Sequence, residues 1–242
     1  MSNNYKESSI DIIEKVVLAM TFPVKILKVD SVGDIHTLTV CDIFHAQPEF
    51  KVDIAGNEYT IQSTSGTTIM VVKGTPDPVV GTFQLYKPNF FHGTPTQQGV
   101  ELIEELKATE KTPMIWLYEQ FTDKFFNDPE SKTERDIIMR LFFLTDTDTD
   151  QNLTEDAYQK AIEPMRRLAE NFERQLNVPQ NGVKRFNTDT LEFDLINYHK
   201  FGVFINNKGM EKSLWQEKLA GCEMAVTLPV FRVEPCEDDQ CS

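Results

Sequence analysis

Between Asp146 and Leu153 the chain reads Asp-Thr-Asp-Thr-Asp-Gln-Asn-Leu, with a carboxylate at every second position at its start. That spacing matches the first half of a calcium loop, which takes ligands at positions 1, 3 and 5 and an apolar residue at 8. Asp146, Asp148, Asp150 and Asn152 are therefore the candidate metal ligands. Two required features are missing. Position 6, where the sharp turn needs glycine, is Gln151, and position 12, where a bidentate Glu dominates affinity, is Ala157. The sequence favours a solvated acidic loop whose Asn152 and Glu155 cap the following helix. No metal or other cofactor is expected.

The remaining reactive side chains form no catalytic pattern. Cysteines stand at 41, 222, 236 and 241, without the paired spacing of a zinc site. Cys236 and Cys241 flank Glu237, Asp238 and Asp239 and read as thiols on an acidic tail. His36, His45, His92 and His199 are scattered without HxH or HExxH spacing, so a structural role is the reading for each. Ser63-Thr-Ser-Gly66 lacks the flanking glycine of a nucleophile elbow and reads as a turn. There is no GxxxxGK[ST] loop and no GxGxxG. The chain reads as a non-enzyme, with no catalytic residue.

Composition narrows the partners. The 242 residues carry 24 Lys+Arg against 38 Asp+Glu, a net charge of −14. Phosphate backbones and anionic membrane surfaces both demand clustered basic residues, so sequence-specific nucleic-acid binding and membrane binding are not expected. At 40% hydrophobic, with 17 Phe, the chain can bury a substantial core. The start is polar, unlike a secretory signal, and no apolar run is long enough for a membrane span.

The elements that must position any site follow from periodicity. Ser8 or Ser9 caps a helix ending at Met20, with Ile10, Ile13, Val17 and Met20 at helical spacing. From Val24 the period turns to two. Phe50 to Ile61, around Gly56-Asn57, is a hairpin with a two-residue turn, and residues 24 to about 90 hold five or six strands. Gly99–Lys107 is a short amphipathic helix, and Ile137–Leu144 a buried strand or helix end. Thr154–Leu176 is the clearest helix, kinked at Pro164, with Glu163–Arg167 and Glu170–Arg174 paired on its polar face. Leu191–Ile205 offers one or two strands, and Cys222–Leu228 a half-buried strand interrupted by Pro229. The expected fold is α+β, with a barrel- or sandwich-like β segment enclosed by an α+β segment. The expected division is a helical segment 1–22, a β-rich insertion 23–92, and an α+β domain 93–242 with an acidic tail.

The densest aromatic stretch is Trp116, Tyr118, Phe121, Phe125 and Phe126. Most of these rings belong in a core, while the surplus, with Phe90 and Phe91, can anchor a partner. Phe90, Phe91, Trp116, Tyr118, Phe121 and Phe125 are thus the interface candidates.

The order of Pro113-Met-Ile-Trp-Leu117, Arg140-Leu-Phe-Phe-Leu144, Tyr158…Ile162-Glu-Pro-Met165…Leu168…Phe172 and Leu219–Pro229 resembles structural proteins of tailed bacteriophages. The likeness is to neck and tail-completion (tail-terminator-like) proteins, in the order and texture of elements, over the first helix and about residues 110–233. The resemblance implies an α+β fold with a small mixed sheet with flanking helices, relative to which the strand-rich, barrel- or sandwich-like segment is an insertion. The resemblance implies a ring of identical subunits in the head-to-tail connector, touching other neck, portal or tail proteins, assembled in the bacterial cytoplasm and carried in the virion. DNA passing through its lumen would meet walls that repel phosphate, and Asp146, Asp148, Asp150, Glu237, Asp238 and Asp239 are candidates for such an acidic surface. Two other readings stand beside it. One is a carbohydrate- or protein-binding module with Phe90, Phe91 or Trp116 as platform. The other is a small carboxylate-dependent hydrolase.

Overall fold

A computed structural model of the chain describes residues 8–72, 77–94, 112–128, 130–147, 158–179, 184–189, 191–205, 210–213 and 218–232. The candidate ligands Asp148, Asp150 and Asn152, the tail residues Glu237, Asp238 and Asp239, Cys236, Cys241 and the expected helix Gly99–Lys107 lie outside the described residues.

The chain opens with helix α1, Ser9–Ala19. Ser8 caps it, its hydroxyl accepting from the Asp11 N–H at 3.1 Å. Ile12, Ile13, Val16 and Val17 give α1 one buried face, and Asp11, Glu14 and Lys15 remain exposed. Ser8→Ala orphans one N-terminal donor and is expected to cost about 1 kcal/mol, read as a lower urea midpoint at unchanged slope.

Six strands follow: β1 (Pro23–Val32), β2 (Ile35–Val40), β3 (Lys51–Ile54), β4 (Asn57–Ser65), β5 (Thr68–Val72) and β6 (Thr82–Gln84). They form one antiparallel sheet in the order β3-β4-β5-β2-β1-β6. The two end strands, β3 and β6, come together, so the sheet curls into a nearly closed barrel. The hairpin turn falls one residue earlier than its sequence suggests. Ile54 pairs with Asn57, so Ala55 and Gly56 make the turn, at φ of 56° and 81°. Both left-handed φ values suit the twist of a two-residue hairpin, and Gly56 takes its own at no steric cost.

The second sheet is mixed, in the order β11-β14-β10-β8-β7. Its strands are β7 (Asn89–Gly93), β8 (Met114–Tyr118), β10 (Thr133–Asp146), β11 (Phe193–Phe201) and β14 (Leu219–Phe231), with β9 (Thr122–Phe125) on the far half of β10. β7 and β8 run parallel, and every other pair in the sheet is antiparallel. Residues 89–92, grouped by sequence with the barrel, therefore belong to this sheet. A small hairpin pairs β12 (Val203–Ile205) with β13 (Glu211–Ser213).

Helix α2, Glu163–Leu176, packs on β10 and β14. A π-helical turn, Tyr158–Ile162, precedes it, and Pro164 sits in the first turn of α2 rather than inside a continuous α-helix. Proline has no N–H for the Lys160 carbonyl, so the register changes where that bond is lost. Arg167 donates to Glu163 as expected, while the Arg174 guanidinium stands 3.9 Å from Asp42 of the β2–β3 loop.

One hydrophobic core runs through α1, the barrel, α2 and the inner face of the second sheet. The outer face carries a second cluster of Met114, Trp116, Phe142, Leu144, Phe201 and Leu219. Burial on both faces explains the unbroken apolar runs Met114–Leu117 and Leu141–Leu144. It also corrects the half-buried reading of the last strand over its first half, while residues 225–231 alternate as expected. Residues 219–224 of β14 are buried on both sides, and the strand continues through Pro229.

Candidate functional site

The outer face of the second sheet gathers more of the singled-out residues than any other described surface. Strand register sets them in one row: Phe91 of β7, Trp116 of β8, Phe142 of β10, Glu223 of β14 and Ile196 of β11. Rings fill one end of this row. Trp116 stacks on Phe142 at 5.0 Å, Tyr118 meets Trp116 edge-on at 5.8 Å, and Phe201 lies 5.0 Å from Phe142. Tyr198 extends the group, edge-on to Phe201 at 5.5 Å. Offset and T-shaped contacts of this kind add about 0.5–1.5 kcal/mol each beyond burial.

Glu223 is the anomaly in the row, a carboxylate at 2% exposure among rings. Such a group persists only where donors satisfy it. Tyr198 donates its hydroxyl to Glu223 Oε2 at 2.6 Å, and Arg140 Nε stands 3.4 Å from Oε1. Three adjacent strands, β10, β14 and β11, thus each supply one member. Burial pushes the Tyr198 phenol up to about 12, and the bond to Glu223 and its charge push the same way, against Arg140. Tyr198 is therefore a hydrogen-bond donor to Glu223 at neutral pH. Around this network Ile138 and Ile196 are each 46% exposed, and Arg140 is largely in solvent.

The interface candidates divide. Trp116 is buried at 2% exposure, with its indole N–H donating to the Gly93 carbonyl at 3.2 Å, so it is a core residue and not a platform. Phe91 and Tyr118 are half-buried against the outer cluster. Phe90 and Phe121 pack instead on the main core. Phe125 is exposed on β9, away from the row, beneath the Arg135 guanidinium at 5.4 Å. Of the acidic candidates only Asp146 is described, exposed at the end of β10.

The histidines and serines take structural places. His92 bonds Glu119 at 2.7 Å on the surface, and His199 is exposed on β11. His45 is fully buried. The run read as a turn is mostly strand: Ser63, Thr64 and Ser65 belong to β4, and only Gly66 lies in the β4–β5 turn, across which Ser65 pairs with Thr68. Cys222 is buried, its thiol pushed up to about 12 by that burial, and Cys41 is exposed. Among the described residues no three His, Cys, Asp or Glu side chains converge as a metal site.

One triad of types was not legible in the sequence. Ser31 Oγ lies 2.8 Å from His36 Nδ1, and Asp77 Oδ1 lies 3.8 Å from the same nitrogen. A nucleophile relay needs serine and carboxylate on opposite ring nitrogens. Here both address Nδ1, so the group does not match that geometry. The Glu223 network was equally hidden, because only register brings residues 140, 198 and 223 together. The available signal was a glutamate inside an otherwise apolar strand, Leu219–Pro229. No helix of the described residues is long and apolar enough to cross a membrane. Comparison with known proteins finds no matching family model, no matching curated protein and no matching solved structure.

Proposed function

We propose that the protein is a non-enzymatic structural subunit of a tailed-phage virion, forming or joining a ring of the head-to-tail connector or tail-completion region. Its partners are copies of itself and neighbouring neck, portal or tail proteins, and it is assembled in the host bacterial cytoplasm. The observation that carries this reading is the outer sheet face. Half-buried Phe91, Tyr118 and Tyr198 stand there beside exposed Ile138 and Ile196, around a pinned Arg140–Glu223 pair. Interface centres combine aromatic anchors with arginine in this way. A net charge of −14 suits a lumen that lets DNA pass without holding it.

A binding module is the second reading. It rests on exposed Phe125 beneath Arg135 rather than on Trp116, which is buried. The two readings separate by light scattering after size exclusion, with and without calcium. A closed oligomer of many subunits, unchanged by calcium, supports the ring. A strict monomer at high concentration favours the module, and a calcium-dependent change in mass would return Asp146, Asp148 and Asp150 to consideration as ligands.

A further inference from the structure

The loop from Cys41 to Phe50, between β2 and β3, joins the barrel to the second sheet. Its centre, His45-Ala46-Gln47, is buried, although two of the three residues are polar. Each side of the loop is tied to a different element. The His45 ring meets the edge of Phe22, ahead of β1, at 4.4 Å, and of Tyr86, beyond β6, at 5.1 Å. Gln47 Oε1 accepts from Thr145 of β10 at 2.9 Å. Asp42 faces Arg174 of α2 at 3.9 Å. Phe44 and Glu49, which bracket the buried centre, hold left-handed φ angles of 43° and 73°. Such angles are uncommon and costly for non-glycine residues, and here two of them bracket one buried segment.

The hydrogen bonding of His45 fixes its tautomer. Nε2 lies 3.0 Å from the Tyr86 carbonyl oxygen, which only accepts, so Nε2 carries the proton and Nδ1 is bare. Nδ1 is buried with no hydrogen-bond partner among the described residues, and so is Gln47 Nε2. A second proton would have to enter at Nδ1, where no acceptor among the described residues meets it. The charged and titratable groups of the adjoining elements are engaged elsewhere or lie at the surface. Asp42 accepts from the Phe44 N–H, Lys87 donates to the Leu18 carbonyl of α1, and Tyr86 donates its hydroxyl to the His45 carbonyl at 3.4 Å. Glu49 of the loop, Asp146 of β10 and Asp11, Glu14 and Lys15 of α1 are exposed.

We propose that His45 is an acid-sensitive latch on the seam between the barrel and the second sheet. Protonation at Nδ1 drives residues 41–50 out of the seam, breaks the Gln47–Thr145 bond and frees the strained backbone at Phe44 and Glu49.

The sign follows from the same geometry. Burial pushes the His45 imidazole down to about 4 from its ordinary 6.5, with the Tyr86 carbonyl opposing. The seated loop therefore has its full stability above about pH 6.5 and loses it as pH falls toward 4. Across that window the open population should rise on the order of a hundredfold.

Hydrogen exchange on the full chain, corrected for intrinsic pH dependence, reads this locally. Peptides spanning 41–50 and 84–88 should lose protection between pH 7 and 4.5, while those of β10 and β14 keep theirs. His45→Gln retains a donor for the Tyr86 carbonyl and removes the titration, so its loop protection should stay flat with pH. An identical acid response in that variant would overturn the proposal. If the variant does not fold, the wild-type histidine ring signals decide by NMR. His45 titrating near 6.5 in the folded protein contradicts the latch, and remaining neutral below pH 5 supports it.

Discussion

Gly221→Ala is expected to lower the melting temperature by roughly 10 °C. β10 and β14 pair over nearly their whole lengths at the centre of the second sheet, and Gly221 sits in that ladder opposite Leu144. Its φ is +155°, and a Cβ built there would stand 1.9 Å from the Phe143 carbonyl oxygen. The obstacle is backbone in a central strand, so no rotamer change relieves it. Separating the strands enough to accept the methyl would strain the ladder and the rings above it, at about 3 kcal/mol or more. For a chain of this length each kcal/mol lowers the melting temperature by about 2–4 °C. Gly33→Ala is the control. Gly33 also has a positive φ, of 61°, but opens into free space at the β1–β2 turn, so alanine there should cost only about 1 kcal/mol. Thermal melts followed by circular dichroism separate the two. Equal losses would mean that φ rather than strand approach governs both sites.

Phe143→Ala should be comparably damaging for the opposite reason, because it empties space instead of overfilling it. Phe143 is fully buried on the inner face of β10, and its ring meets Phe172 of α2 at 5.9 Å. Truncating a buried phenylalanine costs about 3–5 kcal/mol, from lost transfer energy plus the cavity left behind. Phe125→Ala, on the exposed β9, leaves no buried cavity and loses its contact with the Arg135 guanidinium, so it should cost about 1 kcal/mol. Urea unfolding of the two variants tests the contrast. Similar midpoints would place the main core elsewhere than between β10 and α2.

The sequence was most legible where structure is local. The Ser8 cap, the β3–β4 hairpin and the alternation of β2 are written in residues close along the chain, and all three elements form. The α+β class with a barrel-like β segment also follows from periodicity along the chain, whereas the mixed second sheet was implied only by the family resemblance. Legibility fails where burial is two-sided. Leu141–Leu144 and Leu219–Met224 are covered by α2 on one face and by aromatic rings on the other, so neither alternates. Trp116 was misread as surface for the same reason, since an aromatic run gives no sign of which rings will stack on another strand. The parallel β7–β8 pair and the meeting of Arg140, Tyr198 and Glu223 depend on contacts between distant residues, which no local pattern encodes.

Assembly is the centre of the account, and negative-stain electron microscopy of the purified full-length chain tests it most directly. The proposal predicts closed rings of uniform size with an open lumen. Substituting Ile138 and Ile196 together by lysine should disperse them to monomers without lowering the melting temperature. Single particles of monomer size at every concentration would contradict it.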